Sequence, residues 1–146
     1  MEIEELRIGN IIDGSKVICS EFIVGSIGRQ KMDDKLIGAE WMPIINSYPA
    51  DKFEPIPLTE EWLKRFGFTI NEFGNNIPYK FYSLEDFHVI EGKAYNGNYE
   101  PDALYFYMEA EGDDFYSKIF GKKLQCVHQL QNLYFALCGE ELKVKK

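Results

Sequence analysis

Apolar positions along the first 52 residues come in short runs separated by turn residues. Leu6-Arg7-Ile8-Gly9-Asn10-Ile11-Ile12 is an apolar stretch interrupted by a Gly-Asn pair, and Asp13-Gly14 follows as a turn signal. Lys16 to Val24 is rich in β-branched residues and Leu36 to Ile45 is a further strand candidate, with the polar stretch Gly28 to Lys35 as the hairpin loop between them. Strands at this spacing predict a small antiparallel sheet or a compact barrel. Pro43 cannot donate to a ladder and is expected at an edge or a bulge.

Phe53-Glu54-Pro55-Ile56-Pro57-Leu58 reads as a stiff connector, because a proline fixes its own φ and restrains the residue before it. It leads into a helix over residues 59–66. Thr59 suits the N-cap, Glu60 and Glu61 put negative charge in the first turn, and Leu58 can staple to Leu63. Lys64 and Arg65 favour the other end, Gly67 fits the stop, and Phe68 can fold back on Leu63.

From Thr69 to Gln125 strands and turns return. Gly74-Asn75-Asn76, Asn96-Gly97 and Gly112-Asp113-Asp114 are turn signals, while Tyr79–Tyr82, Asp86–Ile90 and Ala103–Glu109 are strand candidates. In the last of these Leu104, Phe106 and Met108 alternate with Tyr105, Tyr107 and Glu109, which predicts one core face and one amphipathic face. Phe115–Phe120 fits either a strand or a helical turn. Val127–Cys138 closes the pattern as a helix: Val127, Leu130, Leu133, Tyr134 and Leu137 recur at helical spacing, with Phe135 beyond that arc beside His128 and Asn132, and Gly139 as the stop. The fold expected is α+β. A small β-rich region over 1–57 precedes a region over 58–146 with a short helix, a mostly antiparallel β part and a C-terminal amphipathic helix, the two packed as one unit.

Composition adds limits. A chain of 146 residues, 15% aromatic, carries enough large side chains for a core without disulfide staples. The net charge of -8, with only Arg7, Arg29 and Arg65 as arginines, disfavours direct nucleic-acid binding, which needs clustered cations. Cys19, Cys126 and Cys138 are odd in number and form no C-x-x-C pair, and the opening Met-Glu-Ile-Glu-Glu lacks the features of a signal peptide. No apolar run approaches the roughly 18 residues that span a bilayer. These features point to the cytoplasm and away from a membrane.

Candidate chemistry is sparse. His88 alternates with Phe87 and Val89, as a structural or surface histidine does. His128 lies two residues from Cys126, but i and i+2 side chains on a helix point apart, and two ligands fall short of a zinc site. The cysteines sit in apolar contexts, there is no G-x-S-x-G elbow, and Gly25-Ser26-Ile27-Gly28 lacks the lysine and third glycine of a phosphate loop. The adjacent acids Asp33-Asp34, Glu60-Glu61, Asp113-Asp114 and Glu140-Glu141 read as solvated turns and helix starts. No catalytic, cofactor or metal set is expected. Tyr105 and Tyr107, together with His128, Asn132 and Phe135 on the last helix, are the candidate interaction surface, since aromatics with polar tips favour partner-binding faces.

Leu6-Arg7-Ile8-Gly9-Asn10, the stretch Pro55-Ile56-Pro57-Leu58-Thr59-Glu60-Glu61-Trp62-Leu63 through Phe66-Gly67-Phe68, and the end segment Val127 to Leu137 followed by Gly139-Glu140-Glu141-Leu142 resemble a family of small bacterial proteins found in gut bacteria, their phages and mobile elements. The resemblance frames nearly the whole chain, more loosely over 70–125. It implies no activity, substrate or functional residue. Similar sequences carry a small hydroxyl residue where this chain has Cys138, which argues against an essential thiol there. The opening Arg-Ile-Gly-Asn also resembles the start of small SH3-like barrels. The leading expectation is a non-enzymatic accessory protein that binds an unknown protein partner. The alternatives are a small-molecule binder or enzyme with a pocket between the sheet and the last helix, and an acidic mimic of nucleic acid.

Overall fold

In the computed structural model, which describes residues 5–17, 19–31, 34–39, 48–71, 80–93, 99–107 and 119–146, the first apolar stretch is broken by a tight turn. The Asn10 N–H donates to the Arg7 carbonyl at 3.1 Å, and Gly9 sits at φ +92°, a left-handed conformation that costs glycine nothing. β1 (Ile11–Gly14) then pairs antiparallel with β2 (Cys19–Lys31), with Ile12 opposite Phe22. β2 pairs with β3 (Asp34–Ala39), and β3 with β4 (Tyr48–Pro49). The ladder takes in Gly28–Lys31 and Asp34–Lys35, where the sequence suggests a loop. Backbone pairing needs no apolar side chain, so a polar hairpin arm extends the ladder. The second half of the Leu36–Ile45 strand candidate, with Pro43, lies outside the described residues. An SH3-like closure of this sheet is not among the pairings of the described residues.

The chain divides into two compact units. The first joins Met1–Pro57 to Cys126–Leu142, and the second joins Leu58–Gln125 to Lys143–Lys146. α2 (Val127–Cys138) therefore belongs with the small sheet, whereas the sequence grouped it with residues 58–146. Its start is bonded there: the Val127 N–H donates to the Ile56 carbonyl at 2.9 Å, and Pro57 bridges to Cys126. The core of the unit holds Ile11, Ile12, Phe22, Val24 and Phe53, with Val127, Leu130 and Tyr134 of α2 also buried. The Phe22 and Phe53 rings lie 4.6 Å apart. The connector is tied in by a two-way backbone bridge between Asp13 and Glu54.

The second unit opens with α1 (Glu60–Arg65), N-capped at Thr59 as its sequence signals. The Thr59 hydroxyl makes no capping bond, and Glu60 pairs with Lys64 one turn on at 2.6 Å. The helix ends in a Schellman motif, with Phe68 N–H donating to the Leu63 carbonyl at 3.0 Å and Gly67 N–H to Lys64 at 2.9 Å. β5 (Thr69–Asn71), β6 (Lys80–Leu84), β7 (Phe87–Lys93), β8 (Tyr99–Tyr107) and β9 (Ile119–Leu124) follow as an antiparallel meander in chain order. The turn signals at 74–76, 96–97 and 112–114, and residues 115–118, lie outside the described residues. Phe68 meets Phe87 edge-on and Phe87 meets Phe106 at a tilt, with ring centres 6.1 Å and 4.8 Å apart. Paired Phe81, Ile90 and Tyr105 are buried on the opposite face. Both faces of the central strands are thus covered, and the amphipathic face expected at Tyr105 is a core face. Among the described residues no helix is long and apolar enough to cross a membrane.

Candidate functional site

α2 lies against the turn that opens the chain, and a tight turn presents backbone groups that a purely apolar helix face could not satisfy. Gln131, fully buried, answers two of them and a carbonyl of the C-terminal tail as well. Its Oε1 accepts the Ile11 N–H at 2.8 Å, and its Nε2 donates to the Gly9 carbonyl at 3.2 Å and the Leu142 carbonyl at 3.1 Å. One amide orientation alone fits one donor and two acceptors. Asn10, also buried, accepts the Arg7 N–H at 2.7 Å on Oδ1 and donates from Nδ2 to Asn132 Oδ1 at 2.9 Å. Asn132 in turn donates to the Glu5 carbonyl. Arg7 bonds to Glu141 Oε1 at 2.7 Å while its guanidinium covers the Phe135 ring at 3.6 Å. The Arg-Ile-Gly-Asn stretch and the end segment, the two parts of the sequence most distant along the chain, meet in this network.

His128 is 1% exposed, and among the described residues neither ring nitrogen has a hydrogen-bond partner. Nε2 stands 3.6 Å from Glu5 Oε2, beyond bonding distance. Burial pushes the imidazole below its usual range, against the opposing pull of Glu5, so the ring is neutral at neutral pH. Cys126, at the N-cap of α2, has its thiol pushed up by burial, which leaves it protonated and a poor nucleophile. Among the described residues no three His, Cys, Asp or Glu side chains are grouped to hold a metal ion.

A second polar cluster lies in the other unit. Tyr82, fully buried on β6, places its hydroxyl 2.8 Å from Glu60 Oε2 and 2.5 Å from Glu91 Oε2, so one proton serves two carboxylates. Burial and the two acids push the phenol far above its ordinary range. Lys64, Lys80 and Tyr82 hold the Glu60 carboxyl down to about 2. Tyr82 stays protonated and Glu60 ionised at neutral pH, so neither exchanges a proton readily, and the cluster pins α1 to β6 and β7.

What α2 offers outward is at its C-terminal end. The apolar stripe runs from buried Leu130 through half-buried Leu133 to Leu137, which is 52% exposed. Phe135 is 37% exposed even under Arg7, and Ile8, at the tip of the turn, is 61% exposed. Ala136 and Cys138 are exposed as well, so the last turn of the helix presents four successive apolar residues to solvent. Leu137, expected in the core, is therefore surface.

Of the residues singled out from sequence, Phe135 and Asn132 come together beside the Arg7 turn. His128 and Tyr105 are buried in different units and present no surface, and the Tyr107 side chain lies outside the described residues. His88 is half-buried, with Nδ1 2.9 Å from Ser83 Oγ across the β6–β7 pair. Gln131, Asn10 and the Tyr82 cluster carry no local signal, because each depends on partners far along the chain. Ile8 could have been noticed as a large apolar residue beside a turn glycine. Compared with family models, with curated proteins and with solved structures, the chain gives no match.

Proposed function

We propose that this chain is a non-enzymatic accessory protein of a bacterial or mobile-element genome, acting in the cytoplasm by binding another protein through the end of α2. The observation that carries the reading is an apolar stripe that outruns its own core: Leu130 is buried and Leu137, two turns on, is more than half exposed. Exposed apolar side chains grouped on a rigid element mark interaction sites. The polar network around Gln131 supports the reading, since it fixes the middle of α2 and gives the exposed residues of the last turn a rigid base. Replacing Leu137 with a photo-crosslinking phenylalanine analogue, and Thr69 on the second unit with the same analogue as control, tests it in native lysate. A discrete adduct from position 137 and none from 69 is the expected result. Adducts from 69 alone, or from neither, would refute the reading.

A further inference from the structure

We propose that the surface at the end of α2 takes a cationic amphipathic protein segment. This rests on the interaction reading above and assigns the chemistry of the partner. The net charge is unevenly divided between the two units. The unit containing α2 carries twelve Asp and Glu against six Lys and Arg, a net of -6, whereas the other carries twelve against ten, a net of -2, which together make the -8 of the chain. α2 itself, VHQLQNLYFALC, holds no Asp, Glu, Lys or Arg. Two acidic side chains flank it: the half-exposed Glu5 side chain lies by the first turn, and exposed Glu140 follows Gly139. Arg7, a cation beside the helix, is occupied by Glu141 and the Phe135 ring. The last turn of α2 also has no basic residue, so the partial negative charge of the helix C-terminus has no cation from the helix itself.

An apolar last turn followed by exposed Glu140, at a helix C-terminus that favours cations, is complementary to a segment with leucine-like anchors and flanking lysine or arginine. The same field repels phosphate backbones and anionic lipid surfaces. The test titrates the full chain with two synthetic helical peptides that share one leucine stripe and differ only in carrying lysine or glutamate on the polar face. The lysine peptide is expected to bind at least about ten-fold more tightly than its glutamate twin and to weaken as salt rises. Leu137→Ser and Glu140→Lys should each weaken the lysine peptide by about ten-fold, with unchanged circular dichroism because both positions are exposed. Equal binding of the two peptides, or lysine-peptide binding indifferent to Leu137→Ser, would overturn the proposal. Crosslinking from position 137 reads any partner. An adduct there with no lysine-peptide binding therefore removes only the cationic assignment, while failure of both removes the interaction reading too.

Discussion

Ile11 and Gln131 are 120 positions apart, and the backbone N–H of the one donates to the side-chain Oε1 of the other at 2.8 Å. A helix side chain thereby completes the hydrogen bonding of a strand's first residue. The same amide serves two further carbonyls, so a single residue fastens three segments.

Replacing Gln131 with leucine keeps the volume and leaves the Ile11 N–H and the Gly9 and Leu142 carbonyls without their partner. Buried unpaired backbone groups cost about 1–3 kcal/mol each, and with partial relaxation the loss is expected near 3 kcal/mol in urea unfolding. Gln131→Glu should also destabilise, because an ionised carboxylate cannot donate to the two carbonyls. A leucine variant with the wild-type midpoint would contradict the network.

Two glycines separate backbone strain from crowding. Gly9 (φ +92°) would set an added Cβ 3.3 Å from Glu141 Oε2, while Gly139 (φ +76°) has open space around the same position. Gly139→Ala should cost about 1 kcal/mol from conformation alone. Gly9→Ala should cost more, about 2 kcal/mol, and should also loosen the Arg7–Glu141 pair. Equal losses at the two sites would show that the Glu141 contact does not matter.

Stability should fall with acid in two steps. His128 titrates near 6.5 when unfolded and lower when folded, so between those values the unfolded chain binds more protons. Its contribution is level above pH 6.5 and declines as pH falls below it. Glu60 moves from 4.5 to about 2, so the stability it adds is complete above pH 4.5 and is lost as pH drops toward 2. Asp13, held low by the Ser15 N–H, adds to that lower step. His128→Met should erase the upper step, keep the lower one, and change stability at neutral pH by less than about 1.5 kcal/mol, since no hydrogen bond to the ring is lost. Unfolding free energies measured across the pH range in both proteins decide this.

β6 and β7 are joined by the two residues Glu85 and Asp86, and Glu85 is exposed at φ +52°. A side chain there strains the turn for no packing gain. Glu85→Gly should stabilise by roughly 0.5–1 kcal/mol, and Glu85→Val should destabilise, in thermal unfolding. A glycine variant that melts lower would mean that Glu85 has a role beyond the turn.

Features written in neighbouring residues were legible from sequence. Both helices end where their glycines, Gly67 and Gly139, place the stop, and α1 begins at its Thr-Glu-Glu signal. Features that depend on depth and distance were not. Periodicity selects a helix face but not how far along the helix that face stays covered, so Leu137 read as core. The buried arc of α2 is also rotated toward His128 and Gln131, because its neighbour is a turn with backbone groups to satisfy and not only an apolar sheet face. Alternation at Tyr105 implied an open face, yet covering both sides of a strand leaves no trace in a period of two.

The interrupted first unit has a consequence for biosynthesis. Residues 58–125 leave the ribosome as an unbroken stretch holding β5 to β9, so that sheet can form as soon as they emerge. Ile11, Ile12 and Phe22 must wait for a helix that follows about 120 residues later. At ordinary translation speeds that is on the order of ten seconds with a half-built core open to solvent, an interval in which a nascent-chain chaperone would find its substrate.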